Sequence, residues 1–240
     1  AGREVYVEYW ARLDKPVLIG RGYAAVQTEY NHLGKITRQR FFDTAGNPTD
    51  NTSGYAEVLR EYDELGNLVE EAYLNKAGVR VPVLNSAYAT VRYAYDEEGN
   101  QIRAAYFDGQ GDPVHCKDGY AVVERTYDKR RLVSERYLDA KGGPAVIAAG
   151  YSSATFGEVQ ADHCHEARFV NEAPDPSIEA PQWVETRDRY DRAVYIRYLD
   201  LDGNPVLLSK GYAAIRYTYL SLGKVRSQFY FDQSGAPVAL

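Results

Sequence analysis

Residues 54–74 read GYAEVLREYDELGNLVEEAYL, which has the pattern of two strands joined by a tight turn. The turn spans Asp63 to Asn67 and includes Gly66. An aspartate side chain can accept hydrogen bonds from the backbone of such a turn, and glycine supplies the positive φ that closes it. The stretch is therefore predicted to be a β-hairpin.

The same pattern recurs along the whole chain. Gly-Tyr-Ala or a close variant begins at residues 22, 54, 87, 119 and 150, at spacings of 32, 33, 32 and 31 residues, and again at residue 211. The interval from 150 to 211 is 61 residues, close to two repeats, and residues 179–188 align with residues 54–63. The sequence thus predicts seven repeats of about 32 residues. They start at 22, 54, 87, 119, 150, 179 and 211, and residues 1–21 are the tail of another repeat.

The first strand of each repeat alternates between two faces. In the third repeat Ala89, Val91, Tyr93 and Tyr95 fall on one face, and a period of two is typical of a half-buried strand. A hairpin of this size is marginal alone, and stacked neighbours supply the missing apolar partner. The chain, residues 1–240, is predicted to be a single all-β array of tandem β-hairpin repeats, an elongated antiparallel meander or a spiral.

Composition excludes several classes of protein. Hydrophobic residues make up 45% and charged residues 26%, as in folded chains. The formal net charge of −6 argues against a nucleic-acid partner, which requires clustered Lys and Arg. No apolar run approaches the roughly 18 residues of a membrane span, so we expect no membrane insertion. The start inside a repeat and the absence of Met predict a segment of a longer protein.

Two turn types resemble known bacterial repeats. The sequence YDELGNL at residues 62–68 is similar to the YD repeats of Rhs-type surface and toxin proteins. The sequence YFDGQG at residues 106–111 resembles the aromatic hairpins of Gram-positive cell-wall-binding repeats, the choline- and glucan-binding class. Rhs shells enclose a passenger, and cell-wall repeats hold sugars or choline between aromatic rings. The resemblance implies a bacterial protein that is extracellular or at the cell surface.

The chain contains 22 tyrosines, and their repeated positions allow two interpretations. Tyrosine has an apolar body and a polar tip, so it suits both packing between thin sheets and a ligand-binding surface. If the second interpretation holds, the candidate binding residues are Tyr30, Tyr62, Tyr95, Tyr127, Tyr219 and Trp183.

Cysteine and histidine lie in two short clusters, His115-Cys116 and His163-Cys164-His165. Three alternatives remain open. The clusters could form a zinc site, since Cys and His are the ligands that Zn²⁺ prefers. Alternatively, Cys116 and Cys164 form a disulfide in an oxidising compartment. In the third interpretation the clusters are incidental. No other cofactor is predicted. A catalytic Cys–His pair is disfavoured because adjacent strand residues face opposite ways.

The fifth repeat, residues 150–178, is degenerate, and residues 171–182 contain three prolines and are predicted to be a loop. Loops at such positions in repeat arrays often carry function. The sequence as a whole predicts a non-catalytic module that binds a polysaccharide or a protein partner. The alternatives are a structural spacer or shell segment without a ligand of its own and, third, an enzyme or metal site at the Cys/His clusters.

Overall fold

The computed structural model describes residues 3–11, 14–160, 164–173 and 178–239. Throughout these ranges the regular secondary structure consists of β-strands, and no helix in them is long and apolar enough to cross a membrane. The strands are β1 (Glu4–Glu8), β2 (Trp10–Ala11), β3 (Lys15–Pro16), β4 (Ala25–Tyr30), β5 (Ile36–Phe42), β6 (Glu57–Tyr62), β7 (Leu68–Leu74), β8 (Thr90–Tyr95), β9 (Gln101–Phe107), β10 (Val122–Asp128), β11 (Arg131–Leu138), β12 (Ser153–Phe156), β13 (His165–Val170), β14 (Gln182–Arg187), β15 (Ala193–Leu199), β16 (Ala214–Tyr219), β17 (Val225–Phe231) and β18 (Pro237–Val238).

Sixteen of these strands form one antiparallel sheet in chain order, from β1 through β4 to β18, whereas β2 and β3 form a separate two-stranded ribbon. Each strand of the large sheet thus lies beside its neighbours in sequence. The predicted all-β meander of tyrosine-rich hairpin repeats is confirmed.

The hairpin predicted from residues 54–74 is formed by β6 and β7. Six residue pairs join the two strands, from Glu57 opposite Leu74 to Tyr62 opposite Leu68. The Oδ1 atom of Asp63 accepts hydrogen bonds from the amides of Leu65 (3.0 Å) and Asn67 (2.8 Å). The aspartate therefore closes the turn in the way that its position predicts.

Each Gly-Tyr-Ala motif joins one hairpin to the next. Gly54 has a φ of 86°, which a residue with a side chain rarely adopts, and its amide donates to the carbonyl of Asn51. Ala56 is 3% exposed, and its amide donates to the carbonyl of Leu74. The Ala56 carbonyl accepts from the amide of Phe41 in the preceding repeat. The motif is thus hydrogen-bonded to a strand on each side.

Contacts divide the chain into two compact bodies. The N-terminal body comprises Ala1–Glu124 with Asp139–Gly142, and the C-terminal body comprises Arg125–Leu138 with Gly143–Leu240. In the N-terminal body, Tyr23, Phe41 and Val58 form a buried cluster on one sheet face. In the C-terminal body, Ala154, Ala167 and Phe169 form a second cluster.

The strand alternation of the third repeat is observed at Val91 and Arg92 but not at Thr90. Ala89 and Val91 are buried and Arg92 is exposed, as the period of two predicts. Thr90 was expected on the opposite, more open face, yet it is 0% exposed. Its hydroxyl accepts a hydrogen bond from Nη1 of Arg80 at 2.6 Å, because the chain leaving the preceding hairpin covers that face.

The fifth repeat departs from the pattern in its strands. Its first strand, β12, has four residues instead of six or seven. The predicted loop 171–182 lies partly outside the described residues, and Gln182 is already the first residue of β14. Asn171 and Pro181 are joined by a backbone hydrogen bond of 2.6 Å, so the ends of this connection lie close together.

Candidate functional site

Three of the candidate binding tyrosines use their hydroxyl groups to bond the neighbouring repeat. The hydroxyls of Tyr62, Tyr95 and Tyr219 donate to the backbone carbonyls of Ile36 (2.9 Å), Leu68 (3.0 Å) and Ala193 (2.6 Å) respectively. In each case the acceptor begins the second strand of the preceding repeat. We call these three contacts the tyrosine junction bonds.

The tyrosine junction bonds form where the strands of adjacent repeats separate. Strands β5 and β6 pair over three residue pairs, the outermost being Arg38 opposite Leu59, whereas six pairs hold the β6–β7 hairpin together. Beyond this short ladder the backbone of Ile36 has no strand partner in β6. The Tyr62 ring crosses the gap, and its hydroxyl satisfies the carbonyl that the ladder leaves unbonded.

The other candidate binding residues lie in different surroundings. The guanidinium of Arg3 lies 5.1 Å from the centre of the Tyr30 ring, and Tyr127 is half-buried in β10. Trp183 stacks on Phe169, with ring centres 5.2 Å apart and an interplanar angle of 19°. The structure therefore does not gather the six candidates into one site. Their role in binding stays a prediction.

A second set of aromatic rings forms a continuous stack on the sheet face that carries the buried cluster of Tyr23, Phe41 and Val58. We call this stack the aromatic spine. In the N-terminal body it runs through Tyr9, Tyr23, Phe41, Tyr55, Tyr73, Tyr88, Tyr106 and Tyr120. Ring centres are 4.7–4.9 Å apart within a repeat and 5.9–6.2 Å apart between repeats. Such spacings are favourable for tilted and edge-to-face aromatic pairs.

Burial in the spine changes the acidity of its phenols. Desolvation raises the pKa of Tyr73 and Tyr106 well above the usual value of 10. In the C-terminal body burial raises the pKa of Tyr151 and of Tyr198 to about 12. The Tyr151 hydroxyl donates to Oε1 of Glu135 at 2.9 Å, and that carboxylate also opposes ionisation of the phenol. These four tyrosines are thus held in the neutral phenol form at neutral pH.

Cys116 occupies a core position rather than a reactive one. It is 7% exposed, and its amide donates to the carbonyl of Tyr120 at 2.8 Å. Ile19 and Leu208 make the same backbone bond, to Tyr23 and Tyr212, in other repeats. The thiol therefore replaces an aliphatic side chain, as buried cysteines commonly do.

Two of the three histidines in these clusters, His115 and His165, are bonded to other groups. Nε2 of His115 accepts a hydrogen bond from the amide of Ala140 at 3.3 Å, and the residue is exposed. Nε2 of His165 lies 3.3 Å from Oδ1 of Asp191. His163 lies outside the described residues.

Neither cysteine forms a disulfide in the structure. Cys116 is buried and Cys164 is half-buried, and the structure has both as thiols. The disulfide alternative stays a prediction. In the described part of the chain no three His, Cys, Asp or Glu side chains converge to hold a metal ion. The zinc alternative stays a prediction, since His163 lies outside that part.

An aromatic patch surrounds Tyr219 and includes Arg192, whose guanidinium is ion-paired with Asp188. The Arg192 guanidinium lies 4.8 Å from the centre of the Tyr190 ring and 4.6 Å from that of Tyr219. Tyr190 is 61% exposed, and a cleft of about 510 Å³ opens beside these residues. Of these residues, only Tyr219 was predicted from the sequence. Tyr190 was missed because the equivalent turn position in the other repeats is not aromatic.

A second cleft, of about 500 Å³, lies in the C-terminal body beside Trp183. Its lining is mostly apolar and includes Ile178, Ala180, Tyr198 and Leu208. Sequence reasoning named Trp183 but not this cleft. The signal was present in the repeat alignment, in which Ala180 stands where Tyr55 stands in the second repeat.

Comparison with known proteins gives little further guidance. No family model and no curated protein matches the sequence. Among solved structures, the chain is similar to a TccC3 mutant of the Photorhabdus luminescens Tc holotoxin pore at 12% identity and a TM-score of 0.23, over 88% of this chain and 14% of that one. The TcdB2–TccC3–Cdc42 complex gives 9% identity and a TM-score of 0.14, over 99% of this chain and 18% of that one. Likenesses this weak establish neither a family nor a function.

Proposed function

We propose that the chain is a non-catalytic scaffold, a β-hairpin spacer or shell segment of a larger bacterial secreted or surface protein. The tyrosine junction bonds carry this proposal. Tyr62, Tyr95 and Tyr219 recur at the same position of the repeat, and each uses its hydroxyl to bond the adjacent repeat. A tyrosine that recurs for this reason serves the sheet and needs no ligand.

The second tyrosine set supports the same proposal. Rings of the aromatic spine pack on one another, and hydroxyls such as those of Tyr73 and Tyr230 donate to Glu71 and Gln228 on their own strands. Sugars bind to rings whose faces are open and to hydroxyls that are free to bond. Both properties are reduced in these tyrosines, which supports assembly of the array as their role.

Removal of one whole repeat tests the scaffold proposal. Deletion of residues 87–118 joins the end of the second repeat to Gly119, which opens the fourth repeat at an equivalent position. Because repeats contact mainly their neighbours, the shortened chain is expected to fold and unfold cooperatively. Deletion of residues 87–102 removes half a repeat and is the matched control, which is expected not to fold. Equal loss of strand signal in both deletions would contradict the proposal.

A second candidate function is binding of a bacterial polysaccharide or of a protein partner at the patch formed by Tyr190, Arg192 and Tyr219. The open face of Tyr190 favours it, since exposed aromatic rings and guanidinium groups are common in such sites. Co-sedimentation of the chain with purified bacterial cell wall tests this function. Binding that Tyr190→Ala abolishes and Leu65→Ala leaves intact would support it, because Leu65 is 77% exposed and belongs to the N-terminal body, whereas the patch belongs to the C-terminal body.

The same assay separates the two functions. A pure scaffold is expected to stay in the supernatant, and the substitution of Tyr190 is then without effect. Retention on the cell wall that survives Tyr190→Ala but is lost with Tyr62→Phe and Tyr95→Phe would instead show that the recurrent tyrosines bind the ligand, against the scaffold proposal.

A further inference from the structure

The aromatic spine has a regular geometry in the C-terminal body, with one substitution in its pattern. The rings of Tyr151 and Phe169 are 4.9 Å apart, and those of Tyr212 and Tyr230 are 5.0 Å apart, as in the repeats of the N-terminal body. In the sixth repeat the tyrosine that starts this pair is replaced by Ala180. The ring that should precede Tyr198 in the stack is therefore absent.

Trp183 fills part of the missing space. It lies three residues after Ala180, at the position of Val58 in the second repeat, and its ring stacks on Phe169. The indole extends the spine from Phe169 but leaves a cleft of about 500 Å³ lined by Ala180, Trp183 and Tyr198. Sites for small molecules typically have volumes of roughly 300–1,000 Å³ and mostly apolar walls with few polar groups.

One buried polar group at the cleft lacks a partner. Asn171 is 2% exposed and lines the cleft, and its Oδ1 accepts a hydrogen bond from the amide of Ala173. Its Nδ2 has no acceptor within the described part of the chain. A buried donor without an acceptor is costly, so an acceptor atom brought by a ligand is stabilised at this place.

A second polar side chain at the cleft, Glu185, is already hydrogen-bonded. Glu185 also lines the cleft, and its carboxylate accepts from Nε1 of Trp183 at 3.2 Å and from Arg187. These bonds hold the indole in its orientation and neutralise the carboxylate. The cleft thus has an aromatic wall and an apolar lining, and it is also lined by Asn171, whose Nδ2 has no acceptor among the described residues.

We propose that this cleft binds a small phenolic molecule, whose ring takes the place of the missing tyrosine side chain. The ring packs against Trp183 and Tyr198, and the phenol oxygen accepts a hydrogen bond from Nδ2 of Asn171. The cleft is distinct from the tyrosine junction bonds and from the patch at Tyr190, so the proposal does not depend on the scaffold function.

Titration with p-cresol, which is the tyrosine side chain as a free molecule, tests the proposal. The two tryptophans give two indole N–H signals in a ¹H–¹⁵N spectrum. Saturable shifts are expected at Trp183, whereas Trp10, which is 53% exposed and remote in sequence, is the internal control. In Ala180→Tyr the built-in ring occupies the cleft, and the shift at Trp183 is expected to disappear.

A non-aromatic analogue makes the test independent of that variant. The compound 4-methylcyclohexanol keeps the size and the hydroxyl of p-cresol but lacks the aromatic ring, so it is expected to bind roughly 2- to 12-fold more weakly. Non-saturable p-cresol shifts, equal shifts at both tryptophans, or equal affinity for the two compounds would each overturn the proposal. So would p-cresol binding to a folded Ala180→Tyr variant with unchanged affinity.

Discussion

The hydroxyl of Tyr62 donates a hydrogen bond to the carbonyl of Ile36 at 2.9 Å, and this bond joins two residues 26 positions apart in adjacent repeats. The pair lies just beyond the last ladder pair between β5 and β6. Tyr95 and Tyr219 repeat the arrangement with Leu68 and Ala193. In these three repeats the tyrosine before the turn thus extends the contact between repeats past the end of the strand ladder.

Loss of one spine ring is expected to destabilise the array strongly. Tyr23 is 6% exposed, and its ring centre lies 4.7 Å from that of Phe41. Truncation of a buried aromatic side chain leaves a cavity, so Tyr23→Ala should lower the free energy of unfolding by about 3 kcal/mol. Urea unfolding measures this change. The exposed control Tyr190→Ala should change it by less than about 0.5 kcal/mol, and equal losses in the two variants would contradict the packing role.

The turn aspartates are expected to make the free energy of unfolding decrease as the pH falls into the acidic range. Hydrogen bonds from the Asn67 side chain and from backbone amides lower the pKa of Asp63, and similar bonds lower the pKa of Asp96 and Asp232. A carboxyl with a lowered folded pKa contributes stability above its unfolded pKa of about 3.9, and that stability is lost as pH falls through the folded value. Carboxyl NMR titration should place all three below about 3.9.

The substitution Asp63→Asn tests this pH dependence because it removes the carboxyl group and keeps an acceptor oxygen. Asn75 closes an equivalent turn by accepting from the amides of Ala77 and Val79, so an amide can make the same backbone bonds. The variant is expected to unfold at a similar urea concentration at neutral pH and to lose less stability in acid than the wild-type chain. An unchanged acid dependence would show that Asp63 does not contribute to it.

Alkaline pH is expected to unfold the array through its buried phenols. Burial raises the pKa of Tyr151 and Tyr198 to about 12. A group whose folded pKa is raised contributes stability below the unfolded value of about 10, and that stability is lost as pH rises through the folded values. Phenolate absorbance should therefore rise at a higher pH in the native chain than in the chain unfolded in urea. Coincident titration curves would contradict burial of these hydroxyls.

The two thiols are expected to differ in accessibility. Cys164 is half-buried and should react with a disulfide reagent in the native chain, whereas the buried Cys116 should react only after unfolding. Cys116→Val places an aliphatic group where other repeats have Ile19 and Leu208, and should cost less than about 1.5 kcal/mol. Absence of free thiol in denaturant without reductant would instead indicate a disulfide.

The hairpins were predictable because their determinants are local. Asp63, Gly66 and Asn67 lie within five residues, and they specify the turn without reference to the rest of the chain. The strand alternation at Val91 and Arg92 is local in the same sense. The recurrence of related turn and strand signals along the chain made the order of strands predictable as well.

The functional interpretation was less predictable because it depends on contacts between repeats. The sequence shows that Tyr62 recurs, but its partner Ile36 is determined by where β5 and β6 separate. Cys116 was interpreted as a possible metal ligand because its neighbour is His115. Its burial follows instead from its position in the turn, which is the position that Ile19 has in the first turn of this kind. The cleft at Ala180 required both the alignment and the position of the Trp183 ring.

Substitution of the junction tyrosines tests the scaffold account most directly. Tyr62→Phe with Tyr95→Phe removes two hydroxyls and keeps both rings, so it should lower the free energy of unfolding by about 2 kcal/mol with an unchanged urea m-value. Tyr6→Phe, at a residue 52% exposed, is the control and should have no effect. A double variant as stable as the control would contradict the claim that these tyrosines hold adjacent repeats together.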